Sequence, residues 1–529
     1  MGSGRSNRKI AEFGRKLRLL THILCFILLL GIVSRGFGAD TPLKYQAGPL
    51  IHDFKLTLQE GQRREILGPL FYEERSGSKS VRAFPPFYSR TEDPELEYTE
   101  IDVLYPLLTF DRFGDQSRIQ LMQAISRSDA KDQDGAERRK ISLFPFYFQQ
   151  RSTNEALNYT AFFPFHGTLK NRMLRDEIQF TMFPVYGMSR KRDIVTRNYL
   201  YPFFHLREGN RLQGWQLWPL VGREVREAHT ITNYLGLETL VPGHKRDFIL
   251  SPIFLRNHHD IGTTNEVRDL AVLPFFSLKR SPAYDSSIYL WPFFKFTTNH
   301  EKNYREWGFP WPLWGIARGE GKYMNRIWPL HSHARNDEGT ERDYLFWPIW
   351  RDEKARGDAL EKRRRRILFF LWSDLRMRNP QTDKHMRRQD LWPLYTYRRH
   401  LDGREKLQVL SFLAPLLANN KSVERNYSPL WALWRTQKNP ATQTRSDSLL
   451  WNLWRREISP EERSNSYFFG LVQSRKTADG TSWKWFHFGP RSNGKNTEAQ
   501  PARSTSDIPA LPSYRLDPVQ LRTVSTYTP

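Results

Sequence analysis

The stretch RNYLYPFFHLREGNRLQGWQLWPLVGRE (197–224) contains nearly the same phrase twice. Tyr201-Pro202-Phe203-Phe204 and Trp218-Pro219-Leu220-Val221 are each an aromatic, a proline and two apolar residues, closed off by charge. Proline cannot donate to a sheet ladder and breaks a helix interior, so its place inside the most apolar segments needs a reason. The arrangement returns after seventeen residues, which makes it a unit rather than an accident.

Scanning outward, the unit recurs along the chain. Its prolines are Pro49, Pro69, Pro86, Pro106, Pro145, Pro164, Pro184, Pro202, Pro219, Pro252, Pro274, Pro292, Pro312, Pro329, Pro348, Pro393, Pro415 and Pro429, mostly 17 to 23 residues apart. RIQLMQAIS (118–126), LFFLW (368–372), LWNLW (450–454) and YFFGLV (467–472) hold the same slot without proline. About 24 units end near WKWFHFG (483–489). A fixed period of this kind outranks any local motif.

Each unit is an apolar run of seven to nine residues, such as IYLWPFF (288–294) or YLFWPIW (344–350), separated from the next by polar segments such as REGNR or RNDEGTERD. Such runs are too short for helices, rich in aromatic and β-branched residues, and bounded by turn formers, so they read as strands. Ten residues per connection leave no room for crossover helices. The period therefore predicts an all-β, antiparallel up-and-down meander of about 24 strands over residues 40–489. It is expected to close as a β-barrel, with an open or solenoid-like array as the alternative. The prolines are read as an aligned bend, a row of bulges, or breaks that split each unit into two short arms; the plainer alternative is that each proline starts a strand. Trp218-Pro219, Trp291-Pro292, Trp328-Pro329, Trp347-Pro348 and Trp392-Pro393 are read as the repeat core, or as anchors at a membrane interface.

The ends differ from the array. Residues 1–39 place six basic residues before LLTHILCFILLLGIV (19–33) and then Gly36-Phe37-Gly38-Ala39, the layout of a signal peptide or, uncleaved, of an N-terminal membrane anchor. The sole cysteine, Cys25, lies inside that apolar segment, so disulfides and thiolate chemistry are excluded from the remainder. Residues 490–529, rich in Ser, Thr and Pro, read as a disordered tail.

An exported, aromatic-rich chain of many antiparallel strands resembles the outer-membrane β-barrels of bacteria, and more narrowly a group of bacterial envelope proteins with aromatic-Pro-aromatic repeats. The resemblance is one of architecture and covers residues 46–489. It implies a non-enzymatic outer-membrane protein with a structural or transport role. The alternative is a periplasmic or surface module that binds anionic glycans or lipopolysaccharide. Two features run against a simple barrel: the apolar runs do not alternate between faces, and they are short for a lipid-exposed band.

The chain holds 81 Lys and Arg against 57 Asp and Glu, a net charge of +24, which suits an anionic partner. Export makes membrane lipid, lipopolysaccharide or an acidic polysaccharide the expected partner, rather than nucleic acid. The basic clusters Arg190, Lys191, Arg192; Arg363, Arg364, Arg365, Arg366; and Arg398, Arg399 are read as turn or strand-end residues that form a cationic edge contacting anions. GEGK (319–322) lacks the residues of a phosphate loop and reads as a hairpin turn. His258-His259 and His331-Ser332-His333 read as turn residues, and no metal, cofactor or catalytic constellation is predicted.

Overall fold

The computed structural model describes residues 45–490 except 132–134, 136, 233–235, 237, 418–419 and 487. The expected signal peptide and the tail beyond residue 490 lie outside the described residues.

The quoted stretch shows how the repeat is built. Ile194–Tyr199, Phe204–Gly209, Leu212–Leu217 and Val221–Arg226 are four successive strands, each bonded antiparallel to the next. Tyr199 faces Phe204 across the turn 200–203, Gly209 faces Leu212 across Asn210-Arg211, and Leu217 faces Val221 across Trp218-Pro219-Leu220. The twenty-residue unit is therefore a two-stranded hairpin. Its strands are the charged segments of about six residues, and its apolar runs are turns. This corrects the expected strand count and the reading of the prolines as a bend within a strand. The main sheet has more than forty strands, running as one up-and-down meander from Ile51–Lys55 to Gly480–Lys484.

The apolar turns share one geometry. In 200–203 the Phe203 N–H donates to the Leu200 carbonyl at 2.9 Å across a cis Tyr201-Pro202 bond, the form of a type VI turn. Neighbouring turns are also bonded to each other. Leu200 N–H donates to Val185 O at 2.7 Å, and Tyr201 N–H to Pro184 O at 2.8 Å; the pairs Leu250 to Leu220 and Ser251 to Pro219 repeat this at 2.6 Å each. Proline, with no N–H to give, serves here as an acceptor, so the ladder continues from wall to rim.

The opposite rim is made of polar turns. Gly209 has φ +118° and a Cβ there would lie 1.8 Å from Asp193 O; Gly319 has φ +147° and the corresponding distance to Asn303 O is 2.1 Å. Glycine is required at both. The second of these is the GEGK segment, which joins Trp314–Gly319 to Lys322–Ile327 as a turn, as its sequence implies.

Two insertions interrupt the meander. A hairpin of His229–Thr232 and Glu238–Val241 rises between Val221–Arg226 and Gly243–Ile249, which pair with each other beneath it. Between Glu405–Val409 and Trp434–Asn439 an apolar turn is replaced by a longer segment containing helix α1 (Lys421–Asn426), capped by the Asn420 side chain on Val423 N–H at 2.9 Å. There the two ends of the sheet approach. Thr57 Oγ1 donates to Ser446 Oγ at 2.8 Å, Asn452 Nδ2 to Glu65 Oε2 at 2.7 Å, and the Tyr72 hydroxyl to Arg425 O at 2.9 Å. Apolar packing is modest elsewhere: among the described residues the largest buried apolar cluster is Phe148, Tyr159, Ala161, Leu169 and Phe180.

Candidate functional site

Hydrophobicity is sorted along the strand axis rather than between the two faces of the sheet. On the apolar rim, Phe144, Leu200, Phe275, Leu290, Phe346 and Phe468 are each more than half exposed. Aromatics of adjacent turns touch in sequence along it, with ring centroids 5.6 Å apart for Phe163–Phe183, 5.8 Å for Phe183–Tyr201 and 5.9 Å for Trp328–Trp347. Trp218, Trp291, Trp328 and Trp347, expected as repeat core, are 40–45% exposed, and Trp392 is half-buried with its indole N–H on Phe412 O at 3.0 Å. Pro219, Pro292, Pro348 and Pro393 are half-buried beside them, and Pro329 is exposed. These pairs build a rim, not a core, because each occupies a turn that a single sheet leaves uncovered.

Leu67, Leu104, Leu200, Leu250, Leu290 and Phe346 occupy the same turn position and have φ between +44° and +54°. Bulky residues are rare in that region, where Asn or Gly fits more easily. Keeping them there favours apolar character on the rim over local backbone ease.

The wall between the rims is charged on both faces. Alternation along Glu361–Ile367 puts Glu361, Arg363 and Arg365 on one face and Lys362, Arg364 and Arg366 on the other. The arginine tetrad thus lies within a strand and not at a turn, which corrects the expected cationic edge: a sheet wetted on both sides accepts charge at every position. Arg363 and Arg365 share Asp352, and Arg366 pairs with Glu353 at 3.1 Å. Arg190 and Lys191 end the strand Tyr186–Lys191, and Arg192 opens a polar turn at φ +53°. Arg398 and Arg399 end Tyr395–Arg399, where Arg398 pairs with Glu424 and Arg399 lies 3.9 Å from Glu405. Arg363 and Arg399 line one groove on the wall, and Arg190, Lys191 and Arg192 lie away from it.

Against the strands Tyr88–Asp93 and Tyr98–Val103, α1 places a polar cluster outside the motifs read from the sequence. The Arg425 guanidinium bonds Asp102 at 2.5 Å, Glu100 at 2.8 Å, Thr91 at 2.8 Å and Ser89 at 2.9 Å. Burial alone would raise the Glu100 carboxyl, but its bond to Arg425 holds it down at about 2. A cavity of about 730 Å³ opens beside this cluster, lined in part by Phe54, Tyr72, Lys406, Arg435 and Arg455. Burial lowers Lys406 to about 8 and, with Arg63 nearby, Arg435 to about 10.

The histidine pairs lie in strands, not turns: His258 and His259 in Phe254–Ile261, and His331 and His333 in His331–Asn336. His333, Glu341 and Asp343 bring ligand atoms within 4.8 Å of one another. The Lys354 ammonium, 2.9 Å from Glu341, already supplies the positive charge there, so the group reads as an ion-pair network. No protein-family model matches the chain, and no curated protein matches it.

Proposed function

We propose that the protein is a non-enzymatic, membrane-associated wall of the cell envelope, closed on itself, with its apolar rim set into one leaflet and its charged wall in water. Its role is structural or serves transport across the space that it encloses. The observation that carries this reading is the belt of exposed apolar turns along one rim. A half-exposed Phe or Trp leaves on the order of 100 Å² in water, about 2 kcal/mol of apolar transfer each at ~25 cal/mol per Å². Summed over the rim, this reaches tens of kcal/mol, far beyond the scattered apolar surface of a soluble protein. A turn is also of the right depth, since interfacial segments bury about 5–10 Å.

A lipid-exposed wall, as in an outer-membrane barrel, is disfavoured by the same geometry. Arg and Lys facing the bilayer midplane cost about 2–4 kcal/mol each, and here both faces carry them. Closure is supported by the bonds between Thr57 and Ser446 and between Glu65 and Asn452, which bring the first strands of the meander against strands near its other end.

Flotation with phosphatidylcholine vesicles tests the rim. Asp tolerates the left-handed backbone better than Leu or Phe, so Leu200→Asp, Leu290→Asp and Phe346→Asp together keep the turn geometry while charging the rim. At limiting lipid the native chain is expected to float with the vesicles, and the triple variant to float measurably less, with its strand circular-dichroism signal unchanged. Equal flotation of the two would sink the reading.

A further inference from the structure

One face of the wall carries cations in register. Lys354 lies opposite Arg363, Arg363 opposite Arg376, Arg376 opposite Arg387, and Arg387 opposite Arg399, one per strand over five strands. Neighbouring strands are about 4.8 Å apart, so the row spans roughly 19 Å. Like charges directly opposite each other destabilise a sheet. Glu341, opposite Lys354, and Glu405, opposite Arg399, cap the two ends of the row, while the cation–cation pairs between them remain a local cost and leave the row with more positive than negative charge.

The row is organised as well as charged. Asp352 takes Arg363 at 2.6 Å and Arg365 at 3.3 Å, while Asp374 takes Arg376 and Arg387 at 2.9 Å each. Each carboxylate fixes two guanidiniums yet neutralises only one charge. Arg356 and Arg378 flank the row one step nearer the polar rim, both opposite Glu361. Together these side chains line a groove of about 590 Å³ on the wall.

We propose that this groove binds a linear acidic polysaccharide, its anionic groups taken in turn by the arginines of successive strands. Planar guanidiniums already oriented by carboxylates suit repeated bidentate contacts. A single-stranded nucleic acid is the less suitable polyanion, because such strands are held by stacking on aromatic rings. Tyr397 and the imidazole of His385 are the only rings among the groove's lining side chains, and no tryptophan lines it. The inference does not depend on the membrane reading, since it concerns the wall and is tested without vesicles.

Titrating the full-length protein in detergent with a short polygalacturonate oligomer tests it. Arg376→Gln with Arg399→Gln interrupts the row at two strands while Asp374 keeps Arg387. Affinity is expected to fall about tenfold or more, with a weaker salt dependence, and the melting temperature to hold or rise. Arg280→Gln with Arg318→Gln, elsewhere on the wall, is expected to leave binding unchanged. The proposal is overturned by absent binding to the native protein, by equal binding to the row variant, or by tighter binding of a single-stranded oligonucleotide of equal charge.

Discussion

Lys406 is a buried ammonium in the cavity at the junction, lowered by that burial from its ordinary 10.5 to about 8. Below pH 8 it is charged in both the folded and the unfolded chain, and its desolvation costs stability. Between about 8 and 10.5 the folded state has released the proton and the unfolded state has not, so stability rises with pH through that window. Above both values the cost is gone. Lys406→Met is therefore expected to stabilise the protein at pH 7 by up to about 3 kcal/mol, with the gain shrinking toward pH 10.5. Urea unfolding at pH 7 and at pH 10 measures it, and an identical gain at both would show that the ammonium is not penalised by its surroundings. The same logic separates this lysine from the paired cations of the wall, whose carboxylates offset their desolvation.

Among the elements, the hairpin was legible and its parts were exchanged. Period, all-β class and antiparallel order follow from the spacing of Pro202, Pro219 and their equivalents. β-Propensity favours Trp, Tyr and Phe over Arg and Glu and so points to the apolar runs as strands, where the structure has turns. One signal against that placement was present: Ile288 to Phe294 are apolar at every position, where a strand facing water on one side alternates. In ERDYL or EKRRRRI the charged runs are the strands, and a single-layer sheet solvated on both faces imposes no alternation for sequence reasoning to find. Helix α1 was not legible at all, being six residues long and held by partners more than 300 residues away. Its Arg425 closes the buried set of Asp102, Glu100, Ser89 and Thr91. Arg425→Ala leaves two buried carboxylates unpaired and is expected to cost about 3–5 kcal/mol. Glu100, held at about 2 instead of 4.5, adds a signature: its contribution is full above pH 4.5 and is lost as pH falls toward 2. Native and variant proteins should therefore converge in stability on acidification. A constant difference between their melts down to pH 2 would count against this ion pair as the clasp.

At the scale of the molecule, the question is whether the meander is a ring. More than forty strands at ~4.8 Å give a perimeter of roughly 200 Å, so an open sheet of this length would present two unpaired edges and twist freely. A ring would remove both liabilities and join the two ends of the apolar rim, which an open ribbon leaves apart. The contacts that favour a ring lie at widely separated points of the sequence and bring the first strands to Thr444–Leu449 and Trp454–Ile458, near the other end: Thr57 with Ser446, Glu65 with Asn452, and Lys55 O with Arg455 at 3.4 Å. Thr57→Cys with Ser446→Cys, in a chain with Cys25→Ser, places two thiols where the hydroxyls are 2.8 Å apart. Mild oxidation is expected to yield a cross-linked monomer that migrates faster on a non-reducing gel, at every protein concentration. The pair Thr57→Cys with Ser287→Cys, the second site lying mid-meander, should remain reduced. An open sheet would behave differently, with disulfide-linked dimers that increase with concentration and no fast monomer. That result would also remove the enclosed space on which the transport reading depends, while leaving the rim and the cationic row to stand on their own tests.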